Sequence, residues 1–286
     1  MGKGDAMPNE PRHPLNYLSL EDTLIATYIW VDDQLKALLA QGLRLPRQPR
    51  QKATYAELLT IALGITLLGL DFYKGYLLIS KDYRHLFPRL PHFTRFYRLL
   101  RNLHAVQAQL ALRLVPHDPY GLKVIDLKPI GLCHGRRMRN HRMEQAAVGK
   151  GPLGYFSGFK LAALVDGQGL FVRWGLLPGN AHENDSAPLL VGLGPCLGDS
   201  GFRWVEGVLT PPYRLKGGKR VETGWQGWMY PIRNYIESRF ASLVRSLGLD
   251  RLECKNYWAF LSRVNLILCA ANLLQSRTLL KIAGVG

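Results

Sequence analysis

The chain has 286 residues, 47% of them hydrophobic, which is enough to bury the core of one large domain or of two ordinary ones. Its 37 Lys and Arg against 21 Asp and Glu give a formal net charge of +16, which favours a polyanionic partner, either nucleic acid or an anionic membrane surface. Residues 1–14 lack the apolar segment of a signal peptide, and we expect them to form a disordered leader.

The apolar stretches argue against a membrane span. The longest uninterrupted run, residues 58–70, is too short to cross a bilayer, and the later stretch at 258–274 carries Arg263, Asn265 and Asn272. Both are predicted to be buried helices. The cysteines show no spacing typical of a zinc site, so we expect reduced thiols in a cytoplasmic protein; they are Cys133, Cys196, Cys254 and Cys269.

Residues 15–116 are predicted to form an all-helical N-terminal domain. Ser19 stands where it can cap a first helix, with Asp22 three residues later. Thr54 and Glu57 have the spacing of a capping box for a second helix. A long helix is predicted to follow from about residue 94 to 115, and no strand-like alternation interrupts this part of the chain.

The pattern changes after residue 117, where we predict an α/β domain over 117–286. Three strands are expected, at 122–127, 155–165 and 169–177, the last two joined by the turn "DGQG". A helix from Asp185, a short strand that ends at "LGDSGF", and two closing helices near 231–247 and 256–277 complete the pattern. Strands followed by helices, with one crossover, indicate a mixed sheet flanked by helices.

Three carboxylates stand at positions that suit metal-dependent chemistry. Asp126 ends an apolar strand and Asp199 follows the short strand, although each is also a common turn former. Glu237 lies at the edge of an apolar helix face, where Arg233 could simply pair with it across one turn. Together, the three residues supply the oxygen ligands that two Mg²⁺ ions need for phosphoryl transfer.

These residues also carry a family resemblance. The chain resembles the DDE transposases of bacterial insertion sequences, most closely the IS982 group within the IS4-related superfamily. The similar stretches include "VIDLKPIGLC", "YFSGFKLAALVD", "LLPGNAHENDSAPLL" and "LGDSGF". In "YPIRNYIESRF", Tyr230, Arg233 and Glu237 match the first three positions of a Tyr-Arg-Glu-Lys signature, whereas Val244 stands at the Lys position, followed by Arg245.

The resemblance implies an RNase H-like catalytic domain. In it Asp126, Asp199 and Glu237 would bind two Mg²⁺ ions, or Mn²⁺ in their place, as the catalytic triad. The expected substrate is double-stranded DNA, as transposon ends and target, cut and joined by a homodimer in the cytoplasm at the nucleoid. Two alternatives stay open: a catalytically degenerate DNA-binding derivative, and an RNase H-like nuclease that acts by hydrolysis alone.

Basic residues predict the DNA contacts. One patch precedes the strands and a second follows the first strand, in residues 134–142. Each could instead be a solvated surface. Lys160 could face the substrate or reach out of the sheet, and Asp185 is expected to cap a helix beside His182 rather than bind a metal. The DNA-binding candidates are Tyr230, Arg233, Arg245, Arg136, Arg137, Arg139, Arg95, Arg98, Arg101 and Lys160.

Overall fold

The computed structural model describes residues 16–46, 50–134, 143–152, 154–215 and 217–285. The predicted leader at 1–14 and three of the DNA-binding candidates, Arg136, Arg137 and Arg139, lie outside these residues.

The N-terminal part is helical, as predicted. Its helices are α1 (Leu20–Ala40), α2 (Tyr55–Leu67), α3 (Phe72–Asp82), α4 (Phe93–Arg101) and α5 (His104–Leu112). The Ser19 hydroxyl accepts a hydrogen bond from the Asp22 amide at the start of α1. Both bonds of the predicted capping box between Thr54 and Glu57 are present at the start of α2. The sequence pattern therefore located both helix starts correctly.

The single long helix expected over 94–115 is wrong, because the chain turns between α4 and α5. Leu103 is fully buried at this turn, and the Gln107 side chain donates to the Leu100 carbonyl, 3.2 Å away. Both helices pack against a C-terminal helix, α7 (Tyr257–Ser276). The turn allows both apolar faces to reach α7, which one straight helix would not achieve.

The second part contains the predicted mixed sheet. Its strands are β1 (Lys123–His134), β2 (Ala147–Gly151), β3 (Gly154–Asp166), β4 (Phe171–Pro178), β5 (Cys196–Leu197) and β6 (Val208–Leu209). β3 pairs antiparallel with β1, β2 and β4, whereas β5 is parallel to both β1 and β6. The predicted strands correspond to β1, β3, β4 and β5, but the expectation that Asp126 ends its strand is wrong, because pairing with β3 continues β1 to His134. β2 and β6 were not predicted.

The helix expected from Asp185 is instead a 3-10 helix, Glu183–Leu189. Pro188 lies inside it, and because proline has no amide hydrogen it cannot donate an α-helical hydrogen bond there, which disfavours an α-helix over Glu183–Leu189. A small hairpin follows the sheet, with strands β7 (Tyr213–Arg214) and β8 (Arg220–Val221). The two predicted closing helices are α6 (Met229–Arg245) and α7, and a short α8 (Thr278–Ile282) comes after them.

α7 lies in a core that includes residues of both the helical part and the sheet. Asn272 is fully buried on α7. Its Oδ1 accepts from the Phe171 amide at 2.8 Å, and its Nδ2 donates to the carbonyls of Phe171 and Ala111 at 3.0 and 3.2 Å. One side chain therefore joins β4, α5 and α7. The domain boundary at 116/117 stays a prediction, since the two parts share this core.

Within the described residues, α7 alone is a single helix long and apolar enough to cross a bilayer, and 78% of its apolar window is buried inside the fold. α2 and α3 reach the same threshold when taken together, despite a bend of 119° between them. The burial of α7 agrees with the prediction of a core helix.

Candidate active site

The register of the sheet places Asp199 level with Asp126. In the parallel pair of β1 and β5, Val124 lies opposite Leu197. Asp126 and Asp199 each follow these residues by two positions, so the register brings the two aspartates to the same level. The Asp126 carboxylate accepts from the Leu127 amide at 2.7 Å. Asp199 caps a 3-10 turn at Ser200–Phe202, where its Oδ1 accepts from the Gly201 amide at 2.8 Å. Both carboxylates are therefore held in place by neighbouring backbone amides.

α6 packs against β1 and places Glu237 beside the two aspartates. The Glu237 side chain is 58% exposed, compared with 43% for Asp199 and 17% for Asp126. The site therefore opens to solvent from the Glu237 side, and Asp126 lies deepest. Tyr230, two turns before Glu237 on the same helix, is 47% exposed.

Arg233 joins the three carboxylates. Its Nη2 lies 3.8 Å from Asp126 Oδ2 and 3.7 Å from Asp199 Oδ2, while its Nη1 forms a short ion pair with Glu237 Oε1. The surface ion pair that sequence alone could not exclude is present. It is also one part of a larger contact in which a single guanidinium meets all three acids.

Burial sets the charge state of Asp126. Loss of solvent raises the pKa of its carboxyl group to about 6, and the nearby charges of Asp199 and Glu237 act in the same direction. The Leu127 amide and the Arg233 guanidinium lower this pKa and offset part of the effect. The pKa of Asp126 is therefore raised even with Arg233 beside it, and a further cation would favour the ionised form.

The donor set suits a hard divalent cation, because all three side chains present carboxylate oxygens. Among the residues that the structure describes, no three His, Cys, Asp or Glu side chains are arranged to hold one ion together. The Arg233 guanidinium lies among these oxygens. The chemistry fits Mg²⁺ ions, with Arg233 as the present counter-charge.

Residues 117–204 match the family model described as Transposase DDE domain. The match supports a DDE-type transposase. The matched segment runs from the start of the sheet region to just past Asp199, so it includes both aspartates and ends before Glu237. No curated protein matches the chain.

Lys160 and Asp185 each form a hydrogen bond with a backbone group. Lys160 donates to the Ala181 carbonyl at 2.6 Å, so its amine holds the turn after β4 against β3. Asp185 accepts from the His182 amide at 2.7 Å, which is a capping role, although the helix begins at Glu183 instead. Asp185 therefore takes part in capping, but from the third helical position, and His182 is the N-cap residue.

The remaining candidates lie on helix surfaces. Val244 is partly buried and packs against the core, whereas Arg245 beside it is exposed at the end of α6. Arg95 and Arg98 are exposed on α4, and Arg101 is half-buried at its end. These arginines are available to phosphates, but none is among the ion-pair partners of the three acids.

Glu183 is a residue that the sequence analysis missed. A side chain at Gly201 would bring its Cβ to 2.9 Å from Asp199 Oδ1 and to 3.0 Å from Glu183 Cδ. The two carboxyl groups thus lie on the same side of a glycine that has no room for a larger residue. Glu183 stands in "GNAHEND", between His182 and Asp185, where nothing in the local pattern distinguishes it from a surface carboxylate.

A second missed feature is a contact between Arg203, which follows Asp199 by four residues, and two aromatic rings. The Arg203 guanidinium lies 5.6 Å from the ring centroids of both Trp204 and Tyr213, and Trp204 is 63% exposed. Large exposed rings beside an arginine are typical of surfaces that contact nucleic acid.

Proposed function

We propose that this protein is a DNA transposase of the DDE type, related to the IS982 group, that cuts and joins DNA at the ends of an insertion sequence with the help of Mg²⁺. The observation that carries the proposal is the meeting of Asp126, Asp199 and Glu237 around one guanidinium, within and beside a segment that matches a DDE domain. An RNase H-like arrangement of the mixed sheet is part of this proposal.

In this function Asp126, Asp199 and Glu237 would hold the metal. Two divalent ions, when bound, supply the positive charge that activates the attacking oxygen and stabilises the leaving oxygen of a phosphodiester. The fold of the chain positions the three carboxylates. β1 and the end of β5 fix the two aspartates, and α6 brings Glu237 to the solvent-facing side, where a DNA backbone can approach.

The DNA contacts are proposed from charge and exposure. The α4 arginines and Arg245 present cations at the surface, and the exposed side chains of Tyr230, Arg203 and Trp204 are proposed as further contacts. A homodimer that binds two DNA ends is proposed as the assembly, by resemblance to the family. A degenerate DNA-binding derivative is the second candidate, favoured by Val244, which cannot contact a phosphate as lysine does at that position.

The test is an assay with Mg²⁺ on DNA that carries the terminal repeats of the element. Cleavage with strand joining supports the transposase. Hydrolysis without joining would favour a nuclease, and binding without either reaction would favour the degenerate derivative. The same assay without divalent metal gives the background.

DNA affinity is expected to fall steeply with salt, because lysine and arginine release counterions when they contact phosphates. Replacing Arg95, Arg98 and Arg101 by Ala should lower the slope of log affinity against log salt by about one unit for each phosphate that the protein no longer neutralises. Fluorescence anisotropy with a labelled duplex, repeated over a salt series, measures this slope.

The control for that series is Arg251→Ala, since Arg251 is exposed and its guanidinium lies 3.7 Å from Asp250. Its slope should equal that of the wild type. If the triple variant also keeps the wild-type slope, the DNA-binding surface lies elsewhere, and residues 136–142 become the next segment to substitute.

Glu183→Gln is expected to reduce cleavage about tenfold, because it removes a negative charge beside Asp199 that would help to hold cations at the site. Glu206→Gln, an exposed change in the loop before β6, is the matched control. Single-turnover cleavage rates at saturating DNA are compared for Glu183→Gln, Glu206→Gln and the wild type. Equal rates for the two variants would mean that Glu183 has no part in the chemistry.

A further inference from the structure

The Arg233 guanidinium occupies the position of a counter-ion rather than that of an ordinary surface partner. It lies within 3.8 Å of carboxylate oxygens from three separate elements. The Arg233 side chain is only 17% exposed, and its Nε is buried without a hydrogen-bond partner in the described part of the chain. An arginine on a solvated helix face would not be enclosed in this way.

This placement has an electrostatic consequence. The three carboxylates carry up to three negative charges, and Arg233 supplies one positive charge that cannot be lost, since guanidinium stays protonated at any ordinary pH. Divalent ions bound to the same oxygens would lie within a few ångströms of this charge and be repelled by it. Arg233 and the metal ions therefore compete for the same acids.

We propose that Arg233 is a built-in cation that holds the three carboxylates together before metal binds, and that it moves to a DNA phosphate when the metal ions enter. The proposal rests on the function proposed above. Arginine suits both partners, because its planar fork binds carboxylates and phosphates equally well through paired hydrogen bonds. Its long side chain can move from one to the other without a change in the backbone of α6.

Coupling between DNA and metal follows from this exchange. If a phosphate draws Arg233 away from the acids, DNA binding raises the affinity for metal, and metal must raise the affinity for DNA by the same factor. In the absence of DNA, Arg233 stays beside the acids, offsets one of their negative charges and keeps the metal weakly bound. The chain would then be loaded with metal mainly when its DNA is present.

The test measures Mn²⁺ binding by the full-length protein without DNA, from the electron paramagnetic resonance signal of free Mn²⁺. Arg233→Gln should bind Mn²⁺ about tenfold more tightly than the wild type, a factor within the usual range for coupled sites. Arg233→Lys keeps the charge and should bind as weakly as the wild type. Arg251→Gln removes an equivalent charge from an exposed pair with Asp250 and should change nothing.

A second measurement covers the case in which Arg233→Gln is less stable. Mn²⁺ should raise its melting temperature more than that of the wild type, because ligand binding stabilises the folded state in proportion to affinity. Adding duplex DNA, with binding by DNA alone subtracted, should tighten Mn²⁺ binding by the wild type and leave Arg233→Gln unchanged. Loss of Mn²⁺ binding in the double variant with Asp126→Asn assigns the ion to this site.

Equal or weaker Mn²⁺ binding by Arg233→Gln overturns the proposal, as does tight binding by Arg233→Lys. DNA cleavage and Mn²⁺ binding together distinguish failure of this proposal from failure of the proposed function. If the wild type cuts no DNA but Arg233→Gln binds Mn²⁺ more tightly, the competition stands in a chain that is not an active transposase. If the wild type cuts DNA and Arg233→Gln shows no gain, the function stands and the competition is rejected.

Discussion

Asp126→Asn is expected to lower the rate of DNA cleavage by about a thousandfold or more, since the absence of one ligand leaves the charge of the metal misdirected at the transition state. Measured without divalent metal, the affinity for DNA should stay at the wild-type level, because the arginines of α4 and Arg245 are unchanged. Cleavage rates under single-turnover conditions and anisotropy on the same DNA measure the two effects. Asp199→Asn and Glu237→Gln should behave in the same way.

Unfolding would not account for such a drop in rate. Burial raises the pKa of Asp126 to about 6, so the fold disfavours the ionised form, and a neutral amide of the same shape should leave the melting temperature equal or higher. Asp250→Asn, an exposed change beside Arg251, is the control for loss of charge. Retention of more than about a tenth of the wild-type rate by Asp126→Asn would remove it from the catalytic set.

Asn272→Ala is expected to lower the free energy of unfolding by about 3 kcal/mol or more, because it leaves a buried amide and two buried carbonyls without their partner. Urea denaturation, followed by far-ultraviolet circular dichroism, measures the change. Gln109→Ala removes an exposed amide from α5 and should cost under about 0.5 kcal/mol. Similar midpoints for the two variants would show that Asn272 does not stabilise the junction of β4, α5 and α7.

The sequence located the parts of the site whose signals are local. Asp126 and Asp199 stood out because a carboxylate directly after apolar strand residues is unusual, and Ser19 and Thr54 marked helix starts because caps depend on residues three positions apart. Glu237 was different. Its helix position suited a surface ion pair equally well, and the signature shared with a family made it a catalytic candidate.

What the sequence did not reveal depends on long-range contacts. β2, with the sequence "AVGKG", lacks the alternation of a strand and exists because β3 pairs with it. The contact of Arg233 with Asp126 and Asp199 requires the register of β1 with β5 and the placement of α6 against β1. The carboxyl groups of Glu183 and Asp199 both lie beside Gly201, which has no side chain to displace them. No pattern within a short window encodes such distances.

The position of α7 bears on how the chain is made. The amide of Asn272 meets the carbonyl of Ala111 across 161 residues of sequence, and Asn265 meets His104 across the same separation. Ribosomes synthesise this separation in about 10 to 30 seconds. During that time α4 and α5 have been made, but α7, which covers their apolar faces, has not. Until then the nascent chain exposes these surfaces, so its yield in a cell should depend on chaperones that shield apolar segments during translation.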